Sequence, residues 1–120
     1  MAVIQTVYRG VKFRSRLEAR WAVFYDSLGL RWQYEKEGFK FDRSGLYLPD
    51  FWLPDFQYWT EIKGKPPTAG ELAKASALAI ETKNKCFLFY GDIPEFPIDV
   101  VSDSAICFFP EGEQDDQFFW

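Results

Sequence analysis

A chain of 120 residues that is 48% hydrophobic and 20% aromatic is too apolar for disorder and long enough for one domain with a modest core. It contains no histidine, which excludes imidazole metal sites and Ser-His-Asp or Cys-His catalysis, so hydrolytic chemistry would have to use carboxylates, lysine and a hard cation. The net charge of -4 argues against a nucleic-acid partner, but residues 1–91 hold all 14 basic groups against 10 acidic ones, while residues 92–120 hold 8 acidic groups and no basic one.

The first ten residues lack a basic segment followed by a long apolar core, and no apolar run approaches the roughly 20 residues that span a bilayer. A cytoplasmic protein without membrane contact is therefore expected. The first predicted element is a helix over 15–28, with Leu17, Trp21, Phe24 and Leu28 as its apolar face. Gly29 supplies the stop. Residues 31–35 alternate as a strand does and resume over 39–41 after Gly38, and a turn cluster fills 42–45.

Two further strands are predicted over 46–53 and 57–63, joined at Pro54-Asp55. Thr68 caps a second helix running to about Lys83, whose small residues Ala73, Ala75, Ala77 and Ala79 suit close packing on a sheet. The continuous apolar run 86–90 reads as a buried strand, joined to the preceding one by a crossover between parallel neighbours. An edge strand over 105–109 and a mobile acidic tail over 111–120 complete the chain, with the globular domain ending near residue 110. Cys86 and Cys107 read as buried small hydrophobes rather than a disulfide or a zinc site.

The chemistry gathers on the hairpin between the second and third strands. Centring its turn between Asp55 and Phe56 sets Trp52 opposite Trp59 and Asp50 opposite Glu61. Opposed side chains share a face, with Cβ atoms about 4.5–5.5 Å apart, and like charges so placed destabilise a sheet. A hard cation with oxygen ligands resolves that conflict. Asp55 falls in the turn, where Pro-Asp is ordinary turn chemistry. Lys63, two residues beyond Glu61, shares the face. Beside a dication and partly desolvated, its pKa should be lowered, which would suit a proton acceptor. The alternative is a surface hairpin with ordinary cross-strand ion pairs.

The predicted order of helix, three strands, helix and strand, with Pro49-Asp50 on the second strand and Glu61-Ile62-Lys63 on the third, resembles the PD-(D/E)XK nuclease superfamily over roughly residues 8–91. The resemblance implies an α/β fold with an αβββαβ restriction-endonuclease-like core, a mixed central sheet flanked by helices. It implies that Asp50 and Glu61 bind Mg²⁺, for which Mn²⁺ substitutes, with the carbonyl of Ile62 as a further ligand. Lys63 would position or deprotonate the attacking water. Glu18 matches a first-helix glutamate that many members place beside the metal, although Ser15-x-x-Glu18 also reads as a capping box. Thr68-x-x-Glu71 has the capping pattern alone, and Glu71 is read as structural.

Arg9, Lys12, Arg14, Arg16 and Lys65 form a candidate phosphate track. Lys74 either contacts the scissile phosphate or lies on a solvated helix face. The implied activity is a metal-dependent endonuclease acting on DNA, structure-selective or nonspecific, of a small phage or mobile-element type working in a bacterial cell or infected host. Homodimerisation would let both strands be cut. Two rival readings stay open. One is a non-catalytic nucleic-acid-binding module of the same fold. The other is a factor that recruits a replication or recombination partner through the acidic, aromatic tail ending in Phe118-Phe119-Trp120.

Overall fold

The computed structural model describes residues 6–41, 46–91, 105–112 and 114–115. It opens with a hairpin that the sequence reading did not foresee, β1 (Thr6–Tyr8) against β2 (Val11–Phe13). Arg9 and Gly10 turn the chain at φ 52° and 78°. Positive φ at both central positions is what lets a two-residue turn follow the strand twist.

Helix α1 (Arg16–Ser27) starts where expected, with the Ser15 hydroxyl accepting the Glu18 N–H at 3.1 Å. Gly29 follows at φ 74°. Of the predicted face, Trp21 is buried and Leu17 and Phe24 pack against the core half-buried, but the fully buried stripe is a different one. It runs through Glu18, Ala19, Trp21, Ala22 and Tyr25, while Leu28 is 55% exposed. The small side chains of Ala19 and Ala22 let the helix axis approach the sheet, and a stripe of leucines would hold it farther off. The same rotation turns Glu18 inward.

Strand β3 (Gln33–Tyr34) is shorter than predicted, and the strand expected after Gly38 forms over two residues but does not continue β3. Glu35 takes a positive φ of 49°, which carries the chain out of the sheet. β4 (Phe39–Lys40) instead pairs with β5 (Leu46–Tyr47) as a separate antiparallel ribbon. The predicted strand over 46–53 is thus two, because the chain bends at Pro49-Asp50 before β6 (Phe51–Leu53). Proline has no N–H to give a ladder, and the Asp50 N–H donates to Glu61 Oε1 at 3.1 Å instead. β7 (Tyr58–Lys63) then runs as expected. Asp55 lies in the turn and pairs with Arg31 at 2.8 Å.

Helix α2 (Ala69–Thr82) begins in a complete capping box: Thr68 Oγ1 accepts the Glu71 N–H at 3.1 Å, and Glu71 Oε1 accepts the Thr68 N–H at 2.9 Å. Thr68→Ala should cost about 1 kcal/mol in a urea melt, and Thr68→Ser much less. The helix buries Ala75 and Ala79 of the four predicted alanines, together with Leu78. Residues two apart on a helix face different ways, which leaves Ala73 in solvent.

β8 (Cys86–Tyr90) lies parallel to β7, β9 (Ala105–Phe108) antiparallel to β8, and β10 (Gln114–Asp115) antiparallel to β9. β9 is therefore an interior strand, with all four residues buried, and not the expected edge. Gln114–Asp115 belongs to the sheet rather than to a mobile tail, and residues 116–120 lie outside the described part.

The result is a mixed α/β fold with one six-stranded sheet in the order β10-β9-β8-β7-β6-β3. α1 covers one face through a core that includes Phe13, Trp21, Tyr25, Phe51, Ile62 and Phe89. α2 covers the other with Trp59, Leu78, Cys86, Leu88 and Phe108. Cys86 and Cys107 are both buried and form no disulfide. No helix among the described residues is long and apolar enough to cross a membrane.

Candidate active site

The ladder of β6 and β7 pairs Leu53 with Tyr58, Trp52 with Trp59 and Phe51 with Thr60. This is the predicted register, and its next pair is Asp50 with Glu61. Side chains alternate along a strand, so Trp59, Glu61 and Lys63 share the α2 face of the sheet. Asp50 shares it with Trp52 across the hairpin.

The two carboxyl groups meet there, 7% and 2% exposed. Each is fastened by a peptide N–H of the opposite strand: Ile62 donates to Asp50 Oδ2 at 2.7 Å, and Asp50 donates to Glu61 Oε1 at 3.1 Å. The side chains also bond to one another, and the Tyr47 hydroxyl bonds to Glu61. Burial above all, and then the charges of Glu61 and Glu18, push the Asp50 carboxyl well above its ordinary range. Burial raises that of Glu61 too, against the lowering effect of the Tyr47 bond and the Lys63 charge. Two acids so placed hold a proton between them unless a stronger cation replaces it.

Lys63 Nζ stands 3.8 Å from Glu61 Oε2 and 3.4 Å from Glu71 Oε2. Its pKa is raised here, whereas the lowered value expected from the sequence supposes a dication beside it. Desolvation pulls it down, but the charges of Glu61, Asp50 and Glu71 outweigh that. Without a dication beside it, the amine is an ammonium.

Glu18 reaches the same cleft from the first turn of α1. Its carboxylate does not close a capping box on Ser15. Oε1 accepts the Tyr34 hydroxyl at 2.6 Å and the Arg14 N–H at 3.2 Å. Among the described residues, no three His, Cys, Asp or Glu side chains gather as a ready ligand set. The inner pair is Asp50 and Glu61, with Glu18 tied to Tyr34 beside it. Two carboxylates suffice for Mg²⁺, which commonly takes one or two from the protein and completes its shell with water and substrate phosphate. An all-oxygen donor pair, buried and short of positive charge, fits such an ion.

The cleft has a volume of about 400 Å³, and Arg14 and Lys74 line it along with the carboxylates. Arg14 Nε is held by Glu35 Oε2 at 2.7 Å. The other predicted phosphate contacts do not converge there. Arg9 pairs with Asp26 at 3.2 Å in a different depression. Lys12, Arg16 and Lys65 are exposed and outside the lining. Sequence reasoning missed Tyr34, Tyr47 and the second bond of Glu71. Only the Thr68-x-x-Glu71 pattern gave any signal for one of them.

A larger cavity of about 590 Å³ lies under α1, lined by Phe24, Leu28, Phe56, Phe87 and Phe109, with Lys85 as its one charged lining group. Lys85 Nζ there lies 5.7 Å from the centroid of the Tyr58 ring, and no carboxylate is among the lining residues. Comparison of the chain with models of known families, with characterised proteins and with solved structures gives no match.

Proposed function

We propose that this protein is a Mg²⁺-dependent nuclease that hydrolyses DNA phosphodiester bonds, with the PD-(D/E)XK arrangement as its catalytic core. The observation that carries the reading is the buried Asp50–Glu61 pair with the Lys63 ammonium 3.8 Å from Glu61. An ordinary surface hairpin would leave such groups in water, where they need no counter-ion.

Asp50 and Glu61 would hold the ion, with the Ile62 carbonyl as a further donor. When bound, the ion supplies charge stabilisation at the phosphate and a lowered pKa for water. The chain's own residues do the rest. The peptide N–H bonds fix the carboxylates before any ligand arrives, which limits reorganisation. Lys63 Nζ, as a cation, orients the attacking water or a phosphate oxygen. Arg14 and Lys74 flank the carboxylates and suit the phosphates on either side of the cut. Glu18 and Glu71, from the first turns of α1 and α2, also line this cleft.

The direct test is incubation of the protein with linear, branched and single-stranded DNA, with Mg²⁺ or with chelator. Cleavage of at least one substrate is expected with Mg²⁺ only. Binding without any cleavage would point instead to a non-catalytic nucleic-acid-binding module. Lys63→Ala should lower turnover about 10²-fold or more with DNA affinity little changed.

A further inference from the structure

We propose that Glu71 is a positioning residue that holds the Lys63 amine in the cleft, in addition to capping α2. The inference rests on the nuclease reading of Lys63. Glu71 divides its carboxylate between two tasks. Oε1 accepts the Thr68 N–H at 2.9 Å and closes the capping box. Oε2 faces Lys63 Nζ at 3.4 Å, nearer than Glu61 Oε2 at 3.8 Å.

Neither oxygen is at the tip of a wandering side chain. The capping bond fixes the plane of the carboxylate, and the helix fixes the backbone behind it. Lys63 is the last residue of β7, with four flexible methylenes to place. Two carboxylates flank its amine, and only one of them sits in the acidic pair. Glu61 is buried against Asp50, so any cation taken up by that pair draws on the charge of Glu61 and repels the amine. Glu71 is then the carboxylate left to keep Nζ in place. A residue that looks purely structural from its sequence pattern thereby ties the end of β7 to the first turn of α2.

The substitution that separates the two tasks is Glu71→Gln. Glutamine serves a capping box as glutamate does, but it presents no charge to Lys63. Thr68→Ala is the converse, since it breaks the cap and leaves the Glu71 charge. The ordering of the Lys63 side chain is measured by NMR relaxation at Cε and Nζ, without and with Mg²⁺. kcat and KM are measured separately on a DNA substrate with Mg²⁺.

In Glu71→Gln, the Lys63 side chain should become mobile and kcat should fall about tenfold or more, as misplacement of a reacting group does. KM and thermal stability should stay unchanged. In Thr68→Ala, stability should fall while Lys63 order and kcat stay near wild type. Wild-type order of Lys63 in Glu71→Gln would overturn the inference, as would a wild-type kcat or equal losses in both variants. If the wild-type protein cleaves nothing, the nuclease reading fails, and the Lys63 order in Glu71→Gln still decides the contact by itself.

Discussion

Asp50→Asn will be more stable than the wild-type protein in the absence of divalent cations, and it will not cleave DNA. The two outcomes have one cause. Asp50 is buried against Glu61, with Glu18 adding to the negative charge around it. Each pKa unit of upward shift corresponds to about 1.4 kcal/mol of unfavourable interaction with the ionised form. Asparagine is nearly isosteric. Its carbonyl oxygen can accept the Ile62 N–H that Asp50 Oδ2 now accepts at 2.7 Å, and its amide can donate toward Glu61. The variant therefore keeps the hydrogen bonds and loses the repulsion. A gain of about 1–3 kcal/mol is expected at neutral pH, with a rise in Tm on the order of 5 °C or more.

The sign with pH follows from the same shift. The native carboxyls are raised above the ordinary values of 3.8 for Asp and 4.5 for Glu, so the folded protein keeps a proton that the unfolded chain has released. Stability from this pair is present in acid and is lost as pH rises from those ordinary values through the raised native ones. Asp26 and Asp55, which are held low chiefly by bonds from Tyr8 and Arg31, act oppositely in more acidic solution. Mg²⁺ should restore wild-type stability at neutral pH, by about 2.7 kcal/mol at a hundredfold excess over its Kd. It should do little for Asp50→Asn. Cleavage by the variant should fall at least about 10³-fold. Thermal melts with and without Mg²⁺, beside a nicking assay, read both outcomes. A variant that melts below the wild type without metal, yet still cuts, would contradict the whole account of the pair.

Much of this site was legible in the chain because hairpin register is a local property. Once the Pro54-Asp55 turn is recognised, a period of two fixes which side chains meet, and Trp52, Trp59, Asp50 and Glu61 fall where the structure has them. Caps were legible for the same reason, since Ser15 and Thr68 bond to residues three positions on.

What failed depended on contacts between distant segments. The bend at Asp50 arises because a side chain eleven residues away takes its N–H. Tyr34 reaches Glu18 across sixteen residues. The basic residues show the limit most plainly. Arg14 and Arg16 are neighbours in sequence, but Arg16 is two helical positions from Glu18 and so points roughly 200° away from it. Lys74, far along the chain, lines the cleft because it lies one helical turn beyond Glu71. The largest surprise was Glu71, where a sufficient local explanation concealed a second partner.

Phe51→Ala should be the most damaging single substitution in the α1 core, at about 3–5 kcal/mol. Phe51 is fully buried, and the rings of Phe13, Tyr25, Trp32 and Tyr34 surround it at centroid distances of 5.2–6.1 Å. Those rings come from β2, α1, β3 and the segment before β3, so the cavity left by alanine lies where several elements meet and cannot close by shifting one side chain. Phe51, the first residue of β6, also follows Asp50 directly and faces the other side of the sheet. Its packing therefore sets the position of the Asp50 backbone, whose carbonyl accepts the Glu35 N–H at 2.8 Å. A domain of this size has roughly 5–15 kcal/mol in total, so the variant should retain a folded population only at low temperature. Even that population should cleave poorly, because the loss reaches the carboxylate through the strand. Phe51→Leu separates the effects, with most of the buried volume kept and an expected cost of about 1–1.5 kcal/mol. If activity per folded molecule, measured by titrating urea against cleavage, is the same in Phe51→Ala and wild type, then the aromatic core stabilises the fold without holding Asp50 in place.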